Sequence, residues 1–149
     1  MILDERNEFA DATALSIVGT GRALVGDVID LGAADQLGNG DGLYLVVQVD
    51  TAATSAGAAT VSFELASDAQ AAIATDGSAT VHFASAAIPV ATLVAGYTAA
   101  VVKLPVVPAA ERYLGILQNV GTAALTAGKI NAFLTNDPAV WKAYADGIA

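Results

Sequence analysis

The chain has 149 residues, a length that suits one domain able to enclose its own core. Six Lys and Arg against fifteen Asp and Glu give a net charge of −9, which argues against direct nucleic-acid binding through clustered basic residues. There is no Cys, which excludes disulfides and thiolate metal sites; much of the 55% hydrophobic content is Ala, with only four Phe, four Tyr, one Trp and one Met.

The first residues, Met1 to Glu8, lack the basic start and apolar stretch of a signal peptide. No apolar run approaches the roughly 20 residues of a membrane span, so no membrane partner is expected. Residues 1–22 carry no clean period and end in a Gly-rich stretch from Ser16 to Gly21, which reads as an extended N-terminal arm and a hinge. Twenty extended residues reach on the order of 66 Å, enough to touch a neighbouring subunit. Asp4, Glu5, Glu8 and Asp11 crowd this arm, either as solvated charges or as a docking strip for a basic partner.

Gly26 to Leu31 reads as a short opening strand, and from there the period is two. Leu43, Leu45, Val47 and Val49 share one face of the next strand. Val61, Phe63 and Leu65 then alternate with Thr60, Ser62 and Glu64. Further strands are expected over 80–83, 90–94, 99–104, 112–119 and 125–134, parted by turn residues such as Asp76-Gly77-Ser78 and Ala95-Gly96. Ser67 to Ala74 reads as a loop excursion despite good helix formers. Near the end, Asp137 as N-cap and Pro138 at the first helical position suggest a helical turn. Trp141 and Tyr144 would share one face of it, to anchor the C-terminus or touch a partner.

The expected fold is all-β: an eight-stranded jelly-roll sandwich over 23–135, an extended arm over 1–22 and a tail over 136–149. The runner-up, an immunoglobulin-like sandwich, lacks its Cys-Trp-Cys spacing.

Motif tests leave little chemistry. The loop Gly38-Asn39-Gly40-Asp41-Gly42 fails a calcium-loop count from Asp35, because Leu37 and Val46 fall where oxygen ligands belong. It also fails the dinucleotide fingerprint, whose third glycine would be Leu43, and has no phosphate-binding lysine. A turn remains. His82, the one histidine, has Ser78 and Ser85 nearby but no nucleophile elbow, and its strand position turns it away from the main core. Asp27 and Asp30 project to opposite faces by parity. Arg112 and Tyr113 place two residue types common at interaction hot spots on opposite faces of one strand. No catalytic, cofactor or metal site is expected, and an enzyme is not.

Several stretches are nevertheless familiar. The start from Met1 to Ala12, then Gly26 to Leu31, Leu43 to Val49 and Gly57 to Asp68 resemble the capsid cement (decoration) protein family of Bordetella phage and related tailed phages. Glu111 to Ile116 and Thr126 to Ile130 are similar to its closing strands, so the likeness runs from Met1 to about Phe133. The resemblance implies a jelly roll on the outer capsid surface of the virion, made in the host cytoplasm and bridging copies of the major capsid protein. It implies no catalytic residue and no cofactor. A homo-oligomer is expected, a dimer over a trimer, with Asp4, Glu5, Glu8, Phe9, Asp11, Arg112 and Tyr113 as partner-binding candidates. The alternative is a virion-associated carbohydrate- or receptor-binding β-sandwich.

Overall fold

In the segment Thr60–Asp68 the alternation does what the pattern requires: Val61, Phe63 and Leu65 are each at most 1% exposed. Burying side chains of this size contributes about 1.5–3 kcal/mol each. The computed structural model describes residues 5–32, 35–37, 42–104 and 107–138. Its strands are β1 (Glu8–Ala14), β2 (Gly21–Asp30), β3 (Asp35–Leu37), β4 (Tyr44–Ser55), β5 (Thr60–Asp68) and β6 (Thr80–Ala84). They continue with β7 (Ile88–Pro89), β8 (Thr98–Lys103), β9 (Val107–Ala110), β10 (Tyr113–Gly121) and β11 (Leu125–Thr135).

Two antiparallel sheets form, one in the order β1-β11-β4-β8 and one in the order β2-β10-β5-β6, with β7 also pairing β5. A small third ladder joins β3 to β9. The main core lies between the large sheets: Leu45, Val47 and Ile130 from the first meet Val61, Phe63, Leu114 and Ile116 from the second. The fold is all-β, as expected.

The N-terminal region differs from expectation. The supposed arm is not a separate unit, because β1 pairs with β11 from Glu8 to Ala14, and Phe9, Ala10 and Leu15 are buried in the core. The register shifts on both sides of Ala10, which breaks the alternation and turns adjacent Phe9 and Ala10 inward together. The strand expected over 90–94 is instead a 3-10 turn, Val90–Thr92, after the two-residue β7. It carries the chain from one sheet to the other: the Val90 N–H bonds the Ala59 carbonyl, and the Leu93 carbonyl accepts from the Ala53 N–H.

Ser67–Ala74 is indeed not helical, and its loop has a use. Ile73 folds over the outer face of the second sheet and packs with Ala66 and Leu117, beside Leu24 and Val28. Gly115 makes the room, since a Cβ there would stand 2.6 Å from the Ile73 Cδ1. The remaining turn expectations divide. Gly42 has the positive φ that a tight connection needs, but Gly38 to Asp41 lie outside the described residues. So do Trp141, Tyr144 and all but the first residue of the expected C-terminal turn.

Among the buried polar side chains, Gln118 holds a connection in place. Gln118 is 1% exposed. Its carboxamide accepts the Ser16 N–H at 2.7 Å and donates to the Ser16 carbonyl at 3.0 Å, pinning the β1–β2 connection. Replacing Gln118 by Leu should strand both backbone groups and cost about 1–3 kcal/mol in urea denaturation. An unchanged midpoint would mean that water replaces the amide without loss.

Candidate functional site

Along one side of the sandwich, the edge strands of the two sheets run together. Gly26 permits the approach: its φ is +71°, and a Cβ would meet the Phe9 carbonyl oxygen. Beside this contact lies a groove of about 900 Å³, lined by Glu5, Glu8, Asp11, Asp27 and Asp30 together with Arg6 and Thr13. With Phe9 and Ala10 both turned inward, the flanking Glu8 and Asp11 are left to the groove. On β2, Ile29 pairs Leu114 and Val25 pairs Ile116, so β2 carries two extra residues there. That irregularity interrupts the alternation, and Asp27 and Asp30 both border the groove.

The electrostatics are crowded. Burial, then the neighbouring Asp11 and Glu5 carboxylates, push the Glu8 carboxyl above its usual value. Asp30 goes the other way, to about 2, chiefly through the Arg112 guanidinium and also through the Gly32 N–H. Arg112 donates to both Asp30 oxygens at 2.8 and 2.9 Å and lies 5.0 Å from the centre of the Tyr113 ring. Arg112 precedes β10, so strand alternation does not separate it from Tyr113 as expected; the two stack. This pair is solvent-exposed and contributes little to stability. Its use is to fix Asp30 at the groove wall.

Of the candidates read from sequence, Glu5, Glu8 and Asp11 line the groove, and Arg112 and Tyr113 adjoin it through Asp30. Asp4 lies outside the described residues. Phe9 is a correction: its side chain is 1% exposed and belongs to the core, so it offers no side-chain surface to a partner. Asp27 and Asp30 were not among the partner candidates, because nothing in their spacing places them beside β1.

The single histidine also departs from expectation. The β5–β6 register breaks between Leu65 and Ala66, and His82 turns its Nε2 to the Ser67 Oγ at 2.7 Å. This resembles half of a hydrolytic triad, yet Ser67 is 0% exposed and its oxygen already accepts the Glu111 N–H at 3.1 Å. A nucleophile must reach its substrate, and this hydroxyl is enclosed. Among the described residues, no group of three or more His, Asp or Glu is arranged to hold a metal ion.

A protein-family model, Bbp16, matches residues 9–134. The chain belongs to the Bbp16 family, a Bordetella phage protein family. The Bbp16 match opens on Phe9, the first core residue of β1, and closes on Leu134, near the end of β11. It thus spans both large sheets, including the edge strand that the sequence alone presented as an arm. No curated protein matches the chain.

Proposed function

We propose that the protein is a capsid cement protein, a non-enzymatic jelly roll that binds the outer surface of the phage head and bridges major capsid protein subunits. The observation that carries this reading is the Bbp16 match over residues 9–134. The strand order supports the jelly roll: counting only the eight strands of the two main ladders, the sheets run 1-8-3-6 and 2-7-4-5. Such an order follows when a long antiparallel hairpin wraps into two sheets.

The acidic groove is the docking surface in this reading. Glu5, Glu8 and Asp11, joined by Asp27 and fixed on one side by Asp30, face basic residues of the shell protein. Burial first, and then repulsion from Asp11 and Glu5, raise Glu8; a Lys or Arg entering the groove relieves the repulsive part, so binding and charge relief are coupled. Copies act as homo-oligomers, a dimer over a trimer, and their multivalency on a repetitive lattice makes a modest contact long-lived. The carbohydrate-binding alternative is weaker, since among the described residues no Phe or Tyr is fully exposed to form a sugar platform.

The test is to add purified protein to undecorated heads and to follow both binding and heat resistance. Wild type should bind and protect, more weakly at 0.5 M salt than at about 0.15 M, where screening sets in beyond roughly 8 Å. The double variant Asp11→Lys/Asp27→Lys, both positions being exposed, should keep its melting temperature and bind at least about tenfold more weakly. Failure of the wild type to bind sinks the cement reading. Equal binding by the variant removes the groove from it.

A further inference from the structure

The β6 edge of the second sheet pairs with β5, and its Phe83 packs against the main core. It has five residues, hydrogen-bonds a strand only on its β5 side among the described residues, and carries a register break at its centre. Val81 on it is 43% exposed. Two side-chain bonds tie β6 down: Thr80 donates to Glu111 at 3.0 Å, and the shorter contact joins His82 Nε2 at 2.7 Å to the Ser67 Oγ, whose residue is 0% exposed.

We propose that the Ser67–His82 contact is an acid-released latch: it keeps β6 closed on β5 at neutral pH and lets that edge open when His82 takes up a proton. This device stands apart from the capsid reading and does not depend on it.

The supply of donors and acceptors drives the release. The Ser67 oxygen accepts the Glu111 N–H, and among the described residues its one other side-chain contact is His82. With the imidazole neutral and its proton on Nδ1, the Ser67 O–H donates to Nε2 while the Ser67 oxygen accepts the Glu111 N–H. In the imidazolium, Nε2 carries a proton and becomes a donor. The Ser67 hydroxyl proton then loses its acceptor inside an enclosed site, and a half-buried ring acquires a charge.

Surrounding charges do little to reverse this. From the segment before β10, Glu111 attracts the cation, but one of its oxygens accepts the Thr80 hydroxyl at 3.0 Å. From β5, Glu64 is occupied by Arg22 and Asp68 by the Gln70 and Ala74 amides. Arg112 is held by Asp30. The net result is that burial lowers the His82 pKa below the ordinary imidazole value, against the pull of Glu111. A histidine so depressed supports the fold above its ordinary value, and that support is lost as pH falls through the depressed one.

Amide hydrogen exchange tests the latch, compared at about pH 8 and about pH 5 after correction for intrinsic rates. Protection of the β6 amides, Val81 to Ala84, should fall about tenfold relative to β10 and β11 on acidification, the scale of stranding one buried hydrogen-bond donor. In His82→Gln, which can still bond Ser67 but does not titrate in this range, that relative fall should vanish. Constant β6 protection in the wild type, or the same fall in the variant, overturns the proposal. A second readout does not need the variant to fold. His82 is the one histidine, so its ring proton titrates without ambiguity in NMR. Its midpoint must mark the lower end of the pH range over which β6 protection falls, and a fall that runs on well below that midpoint would also sink the latch.

Discussion

Deleting residues 1–20 is expected to abolish cooperative folding rather than trim an appendage. The deletion removes β1, whose pairing with β11 runs from Glu8 to Ala14. It also removes Phe9 and Leu15, which are 1% and 4% exposed in the core. Truncating a buried Phe costs about 3–5 kcal/mol and a buried Leu about 2–5 kcal/mol, against total stabilities of about 5–15 kcal/mol. The Ser16 clamp on Gln118 goes as well, leaving that buried amide without either partner. Thermal denaturation followed by far-ultraviolet circular dichroism should show no sigmoidal transition. A truncated chain that melts cooperatively near the wild-type temperature would refute the placement of β1 in the core.

Gly26→Ala is a single substitution with a large expected loss, and the chain supplies its own control. Gly19 and Gly26 share a φ of +71°, so an Ala at either position costs about 1–2 kcal/mol for left-handed backbone. Nothing lies within 4 Å of a Cβ at Gly19. At Gly26 the Cβ meets the Phe9 carbonyl oxygen and stands 3.2 Å from the Ala10 Cβ, so β1 must move off β2. Adding about 1–3 kcal/mol for such overpacking, Gly26→Ala should lose about 2–5 kcal/mol in urea denaturation. Gly19→Ala should lose only the backbone part. Equal losses would show that the edge strands are not in contact.

Much of the sheet framework was legible because large apolar residues alternate with polar ones in β5, and because Ile130 to Leu134 is a largely apolar run in β11. β1 was not legible. Its sequence, Glu8-Phe9-Ala10-Asp11-Ala12-Thr13-Ala14, has one large apolar residue, and two register shifts erase the period of two. The second half of β4 was missed for a related reason. From Asp50 to Ser55 no large side chain marks a face, yet pairing with β11 continues to Ser55. There Ala53 lies against Gly128, so small residues are what the close approach requires.

The groove was half legible. An acidic strip at Glu5, Glu8 and Asp11 is visible in composition, whereas its facing wall depends on a bulged β2 about twenty residues away. Alternation assigned Asp27 and Asp30 to opposite faces, and a bulge is the feature that alternation cannot anticipate.

The irregularity of β1 has a further consequence, for storage. A flat, unpaired strand edge is a template on which a second molecule can add, then a third, until the stock becomes a fibre. Here the exposed edge of the first sheet breaks register twice within seven residues, and Ala12 is forced to a φ of 43°. An incoming strand finds no continuous run of donors and acceptors to copy. Strand addition along this edge is therefore opposed by the same kinks that fill the core.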